Sequence, residues 1–299
     1  MQYRALGQTG INVSAVAYGG IVSAGSYDGV TYPADNQQAS DRYVAWAMDQ
    51  GVNYFDVAPS YGNAQAQLGN SLKGRRSQVF LACKTAARTL PRAEEELKES
   101  LRQLHTDWFD NYQIHGISSM EEVDVAFGPG GVMEMIRGLK EKGIAAHVGF
   151  TAHNEDAALR MMALYDFDTV LFPFNWHMHM AHGMGQRLLD AARQRGMGVL
   201  CIKSMIDRAW DPGEKDASRY PKSWCRPFDP EGEQALLTAA VKYALSLGVD
   251  TIIPPGNFDH FSFGVSQIDE LLANPLKDDD LSLLRRHLES VRDRPFFKV

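Results

Sequence analysis

Short β-branched or apolar runs alternate with longer segments of helical period almost to the C-terminus, and this alternation restricts the fold more than any other feature. The spacing predicts strands over 13–18, 52–55, 79–84, 109–114, 145–151, 169–174, 198–203 and 250–253. Helices are predicted between them, over 36–50, 64–73, 132–142, 155–164, 185–195 and 231–247. The clearest helix opens at Pro91, where Ala93, Leu97, Leu101 and Leu104 share one apolar face and Glu94 and Lys98 pair at i,i+4 on the other. Eight strand–helix units in 299 residues fit an α/β chain folded as a closed (β/α)₈ TIM barrel better than an open doubly wound sheet. No glycine-rich dinucleotide fingerprint follows any strand. Residues 1–299 are read as one barrel domain with two additions: a short N-terminal β-hairpin within 1–12, punctuated by Gly7 and Gly10, and a C-terminal helix within 279–299. The segment 204–230 is the longest predicted loop, and in a barrel it overhangs the face where active sites sit.

Composition narrows the partners. A hydrophobic content of 44% supplies a large core, and a net charge of −7 without a basic run argues against nucleic acid or an anionic membrane surface. Cys83, Cys201 and Cys225 are odd in number and widely spaced, which suits neither a disulfide framework nor a thiolate metal site. With no leader-like or membrane-length apolar run, the expectation is a cytoplasmic protein acting on a small molecule, of oligomeric state the sequence leaves open. His177, His179 and His182 cluster without a carboxylate or thiol to complete a ligand set, so no metal is expected and a place in the substrate pocket is preferred. Trp210, Tyr220 and Trp224 are further pocket candidates, and Cys83 is expected to face the helices because its neighbour Lys84 faces inward.

Four polar residues end successive strands or the loops after them: Asp56 and Tyr61 in Phe55-Asp56-Val57-Ala58-Pro59-Ser60-Tyr61-Gly62, Lys84 in Cys83-Lys84-Thr85, and His115 in Gln113-Ile114-His115-Gly116. A barrel sets neighbouring strand ends side by side, so these groups converge on one rim. A tyrosine with its ordinary pKa near 10 is a weak proton donor at neutral pH, and an adjacent ammonium lowers that pKa. Lys84 is placed to supply the charge, Asp56 to keep Lys84 protonated, and His115 to donate toward a carbonyl oxygen. These are the parts of a carbonyl reductase.

The residues resemble the aldo-keto reductases. The likeness runs through Tyr3-Arg4-Ala5-Leu6-Gly7-Gln8-Thr9-Gly10, the Phe55-to-Gly62 motif, Lys84, His115-Gly116, Gly149-Phe150-Thr151 and Ile253-Pro254-Pro255-Gly256, in order. It implies a (β/α)₈ barrel that binds NADP(H) across its C-terminal face and moves a hydride between nicotinamide and the carbonyl carbon of an aldehyde, ketone or sugar. It also implies that Asp56, Tyr61, Lys84 and His115 form the catalytic tetrad, with Tyr61 as general acid in reduction and general base in oxidation. Gly20, Thr151, Lys203 and Gly256 fall where the family contacts its cofactor, and Ser204 and Asn257 beside them are added as candidates.

Departures accompany the matches. Thr151-Ala152 stands where the family often has Ser-Asn, Leu171 where it often has the glutamine that holds the nicotinamide carboxamide, and Ile202 near the place of a stacking tyrosine. Asn175 is the candidate replacement for the missing glutamine, with His153 or Asn154 assisting. No Lys or Arg occurs from Thr251 to Leu276, where members selective for the 2′-phosphate carry basic residues, so NADP(H) is the family default and NAD(H) stays open. The incomplete carboxamide clamp also motivates an alternative, a cofactor-binding regulatory protein of the same fold with little turnover.

Overall fold

The computed structural model describes residues 1–297. Eight parallel strands form one sheet: β1 (Tyr18–Gly19), β2 (Tyr54–Asp56), β3 (Phe80–Thr85), β4 (Phe109–Ile117), β5 (Ala145–Ala152), β6 (Thr169–Phe172), β7 (Gly198–Ile202) and β8 (Thr251–Ile253). They lie in sequential order, and a parallel bridge from Val16 to Ile252 closes the sheet into a barrel. The closure is hydrogen-bonded, Ala17 N–H donating to Ile252 at 2.9 Å and Ile252 N–H to Ala15 at 3.0 Å.

The first strand is a correction. Residues Asn12–Ser14 pair antiparallel with Tyr3–Ala5 in the hairpin, so the run read as one barrel strand serves two structures with a bend between them. Alternation could not show this, because Val13 and Val16 are both fully buried, one on the hairpin facing the barrel interior and one in the wall. The predicted helix over 132–142 is likewise reduced to Met133–Ile136 followed by turns to Gly143, whose φ of +68° suits a residue without a Cβ.

Local signals explain the longer helices. Asn36 accepts from Ala39 N–H to cap Gln37–Asp49, Asn154 accepts from Ala157 N–H to cap Glu155–Leu164, and Pro91 lies in the first turn of Leu90–Gln103. Their apolar faces cover the outside of the barrel and form the larger core. A smaller core fills the barrel itself: Leu6, Val13, Ala17, Tyr54, Ala82, Leu171, Leu200 and Ile253. Leu6 and Val13 belong to the hairpin, which plugs the N-terminal mouth, anchored by Gln8 N–H to Gly196 O at 2.8 Å and Gly7 N–H to the Asp250 carboxylate at 3.1 Å. The open end is therefore the C-terminal one.

Candidate active site

Strand register assembles the cluster. Asp56 is the last residue of β2 and pairs with Ala82 of β3, and two residues on, Lys84 pairs with Gln113 of β4. Alternation turns Lys84 inward and Cys83 outward, where its thiol faces Gln65 and the helix layer, as expected. Lys84 is 1% exposed, ion-paired with Asp56, and its Nζ lies 3.5 Å from the Tyr61 hydroxyl and 3.4 Å from the carbonyl of Val57. The second Asp56 oxygen accepts from Gln113 Nε2 at 3.1 Å.

Tyr61 sits in a tight turn, its carbonyl accepting from Ala64 N–H, and the turn needs Gly62. Gly62 has φ of +58°, and a Cβ there would collide with the backbone of Ser26. Asn63 fastens the same turn to the 26–31 hairpin by accepting from Gly25 and Ser26 N–H at 2.9 and 3.0 Å. The pairing of β4 with β5 shifts register between Ile114 and Ile117. His115 lies in that bulge, with its ring edge-on to Tyr61 at 5.7 Å and Nδ1 3.5 Å from Ser60 Oγ.

Burial sets the charges. It pushes the Tyr61 hydroxyl upward, Lys84 opposes it and Asp56 adds to it, leaving Tyr61 above its ordinary value of 10. Lys84 thus tempers the burial and does not overcome it, contrary to a tyrosine lowered outright. Burial pulls Lys84 down, but Asp56 and the Tyr61 oxygen outweigh it and the ammonium is held above its usual range. His115 is driven well below 6.5 by burial and by the nearby cations, so at neutral pH it is an uncharged imidazole.

The cluster opens into a cavity of about 570 Å³. Asp56, Tyr61, His115, Thr151, Lys203 and Gly256 all line it, as do Leu171 and Ile202, the two apolar residues that replace expected contacts. Other predicted positions lie elsewhere. Gly20 does not line it, Gly19 lining in its stead, and its missing Cβ makes room for Val57. Ser204 and Asn257 follow lining residues without lining the cavity, and Ser204 Oγ and Asn257 Nδ2 are buried with no hydrogen-bond partner among the described residues. Asn175 caps the helix Trp176–His182, accepting from His177 and Met178 N–H while Nδ2 donates to Lys203 and Ile206 carbonyls, both at 2.8 Å. With every polar valence used, Asn175 has nothing left for a carboxamide.

The histidine cluster lies on that helix and away from the cavity. His177 binds the Asp207 carbonyl and His179 the Tyr243 hydroxyl, which corrects the pocket role read for them. No metal-ligating cluster occurs among the described residues. Of the three aromatics in the long loop only Trp224 lines the cavity; Trp210 and Tyr220 spend their polar atoms on Ser223 and Asp229. Gln113, Arg88 and Tyr27 are the site residues that sequence reasoning passed over. Gln113 stands two positions before His115 in the strand, and the period-2 pattern was its one signal. Arg88 donates to the His115 carbonyl at 2.8 Å, and Tyr27 meets Tyr61 edge-on at 6.4 Å; both come from loops without a legible pattern.

This barrel, with an ion-paired lysine against a tyrosine at its mouth, defines a class that the comparisons name. The family described as "Aldo/keto reductase family" matches residues 16–218, and the chain belongs to that family of oxidoreductases. Aldo-keto reductase YhdN of Bacillus subtilis is 29% identical over 189 residues, 58% of this chain and 54% of that protein, so the match spans about half of that relative's length. L-galactose dehydrogenase of Arabidopsis thaliana is 29% identical over 317 aligned positions covering 98% and 96% of the two chains. Among solved structures, the holo form of aldo-keto reductase AKR11C1 from Bacillus halodurans superposes with a TM-score of 0.69 at 19% identity, covering 97% of this chain and 96% of that one. No described helix is long and apolar enough to cross a membrane.

Proposed function

We propose that the protein transfers a hydride between NAD(P)(H) and the carbonyl carbon of a small aldehyde, ketone or sugar, with Asp56, Tyr61, Lys84 and His115 as its working groups. The observation that carries the reading is the meeting of the Asp56–Lys84 pair with the Tyr61 hydroxyl at the cavity mouth, beside a neutral imidazole. The cavity suits the cofactor: Leu171, Ile202 and Ile253 offer an apolar wall, and no side chain intrudes at Gly256, where a Cβ would collide with Ile21. Thr151, Lys203 and Gly256 are the proposed contacts, with Ser204 and Asn257 holding unpaired polar atoms next to them.

When bound, the reduced nicotinamide supplies the hydride. The chain's own residues do the rest. Tyr61 keeps its proton at neutral pH and gives it to the oxygen on which negative charge develops, while the Lys84 ammonium at 3.5 Å stabilises the phenolate left behind. His115, uncharged, donates a hydrogen bond without competing for that proton. In oxidation Tyr61 acts in reverse as the base. Lys203 is the cavity cation with no carboxylate within 4 Å among the described residues, whereas Arg88 pairs with Glu122 and Lys222 with Asp35. It is therefore the proposed partner of cofactor phosphate. NADP(H) is kept as the family default, while the absence of basic residues from Thr251 to Leu276 leaves NAD(H) a full competitor. The name of the full-length plant relative, L-galactose dehydrogenase, favours starting the substrate panel with sugars.

Tyr61→Phe tests the reading. The variant should bind cofactor within about twofold of the parent and lose at least about a hundredfold in turnover. Tight cofactor binding with no turnover by the parent on a broad carbonyl and sugar panel would instead favour the regulatory alternative. Titrations with NADPH and NADH, read by tryptophan fluorescence, decide cofactor preference.

A further inference from the structure

We infer that Gln113 is a positioning residue of this site: its amide clamps the free oxygen of Asp56 and so fixes the carboxylate against Lys84. The inference rests on the reaction proposed above. Asp56 lines the cavity yet is only 2% exposed, so its carboxylate depends on protein partners more than on solvent. Lys84 takes Oδ1, and Gln113 Nε2 takes Oδ2 at 3.1 Å. Gln113 is itself fully buried, and its carbonyl Oε1 finds no hydrogen-bond partner among the described residues. An amide with an unmet acceptor is poorer packing than leucine or methionine of similar volume, so the residue type is costly except for the bond it makes to the carboxylate.

Placement supports the same role. Gln113 pairs in register with Lys84, and it lies before the β4 bulge, so its phase is fixed by regular strand pairing. Two residues on, the bulge presents His115. One strand thus delivers the imidazole and braces the ion pair. Without the clamp, Asp56 Oδ2 loses its protein partner in a buried site, the carboxylate is free to turn, and Lys84 loses the fixed partner that holds it under Tyr61.

Two variants test the inference. Gln113→Met keeps size and burial and removes the donor. It should lower kcat about tenfold with KM and cofactor Kd within about twofold, and raise the Tyr61 limb of the pH profile by roughly half a unit, because the ammonium that tempers Tyr61 is no longer held in place. Gln113→Glu keeps the shape, and its new carboxyl donates to Asp56 only while protonated. It should approach parental kcat on the acid side and lose it as pH rises, a limb that the parent lacks. A readout without turnover uses the free protein: amine acylation followed by peptide mass spectrometry. Lys84 labelling should accelerate about fivefold in Gln113→Met, in line with a weakened buried pair. Lys222, also buried at 4% exposure and paired with Asp35 at 2.8 Å, should keep its own parental rate. Parental Lys84 labelling in Gln113→Met overturns the role of Gln113 alone, as does a rise in both lysines together, the mark of general loosening. Parental turnover in Tyr61→Phe overturns the reaction and the positioning role with it.

Discussion

The Asp56–Lys84 pair combines fold and chemistry in two side chains that are almost wholly buried. Removing one member of such a pair strands the other charge in a dry interior. Asp56→Asn should therefore lower unfolding free energy by about 3 kcal/mol and turnover by more than about a hundredfold, measured by denaturant titration and steady-state kinetics. The neighbouring groups set the pH profile. In the proposed reduction Tyr61 must be protonated to act, and burial holds it above 10; His115, well below 6.5, has already lost its proton at neutral pH. The expected kcat/KM for reduction is thus flat from about pH 7 to 9 and falls only beyond about 10. A limb near 7 would show that one of the two is misassigned.

Elements turn these residues into a site. The Tyr61 turn is held to the 26–31 hairpin by Asn63 and by the close approach that only Gly62 permits. Gly62→Ala must distort a left-handed backbone as well as relieve a collision, and should cost about 1–3 kcal/mol in stability and a larger share of kcat than of cofactor affinity, read by thermal denaturation and single-turnover kinetics. At the other edge, Phe297 stacks on His153 at 4.7 Å and lies 5.4 Å from Lys203 Nζ, both of which line the cavity. The helix Asp278–Val291 ends before this tail. Ending the chain at Pro295 should leave the melting temperature within a few degrees, because no core helix is cut, and raise KM several-fold with little change in kcat.

At the scale of the molecule, burial of neutral histidines couples stability to acid. Burial pulls His153 and His260 down to about 4 and lowers His177 and His115 as well, whereas each unfolded imidazole titrates near 6.5. Between those values the unfolded chain binds more protons than the folded one, so stability falls as pH drops from about 6.5 toward 4. The melting temperature should decline steadily across that window, and His260→Asn, tested beside the parent, should show a shallower decline.

Strands β2 to β8, the helices with caps or an initiating proline, and the four residues that converge at the rim were legible because each depends on local spacing: period 2, period 3.6, and short motifs at strand ends. What local spacing does not encode is which neighbour a strand or loop meets. Val13 and Val16 carry the same burial pattern, yet only closure of the barrel sends one to the hairpin and the other to the Ile252 bridge. Asn175 has the right chemistry for a carboxamide, but a helix begins beside it and takes its oxygen while two carbonyls from the β7 loop take its nitrogen. Gln113 and Asp56 are far apart in the chain, and the bond between them exists only because β2, β3 and β4 lie side by side. The sequence by itself therefore determined the barrel and the polar groups at its rim, through short-range periodicity. The tertiary structure alone decided which polar atoms remain free for a ligand, because hydrogen-bond valences are filled by partners that only long-range packing brings within 3 Å.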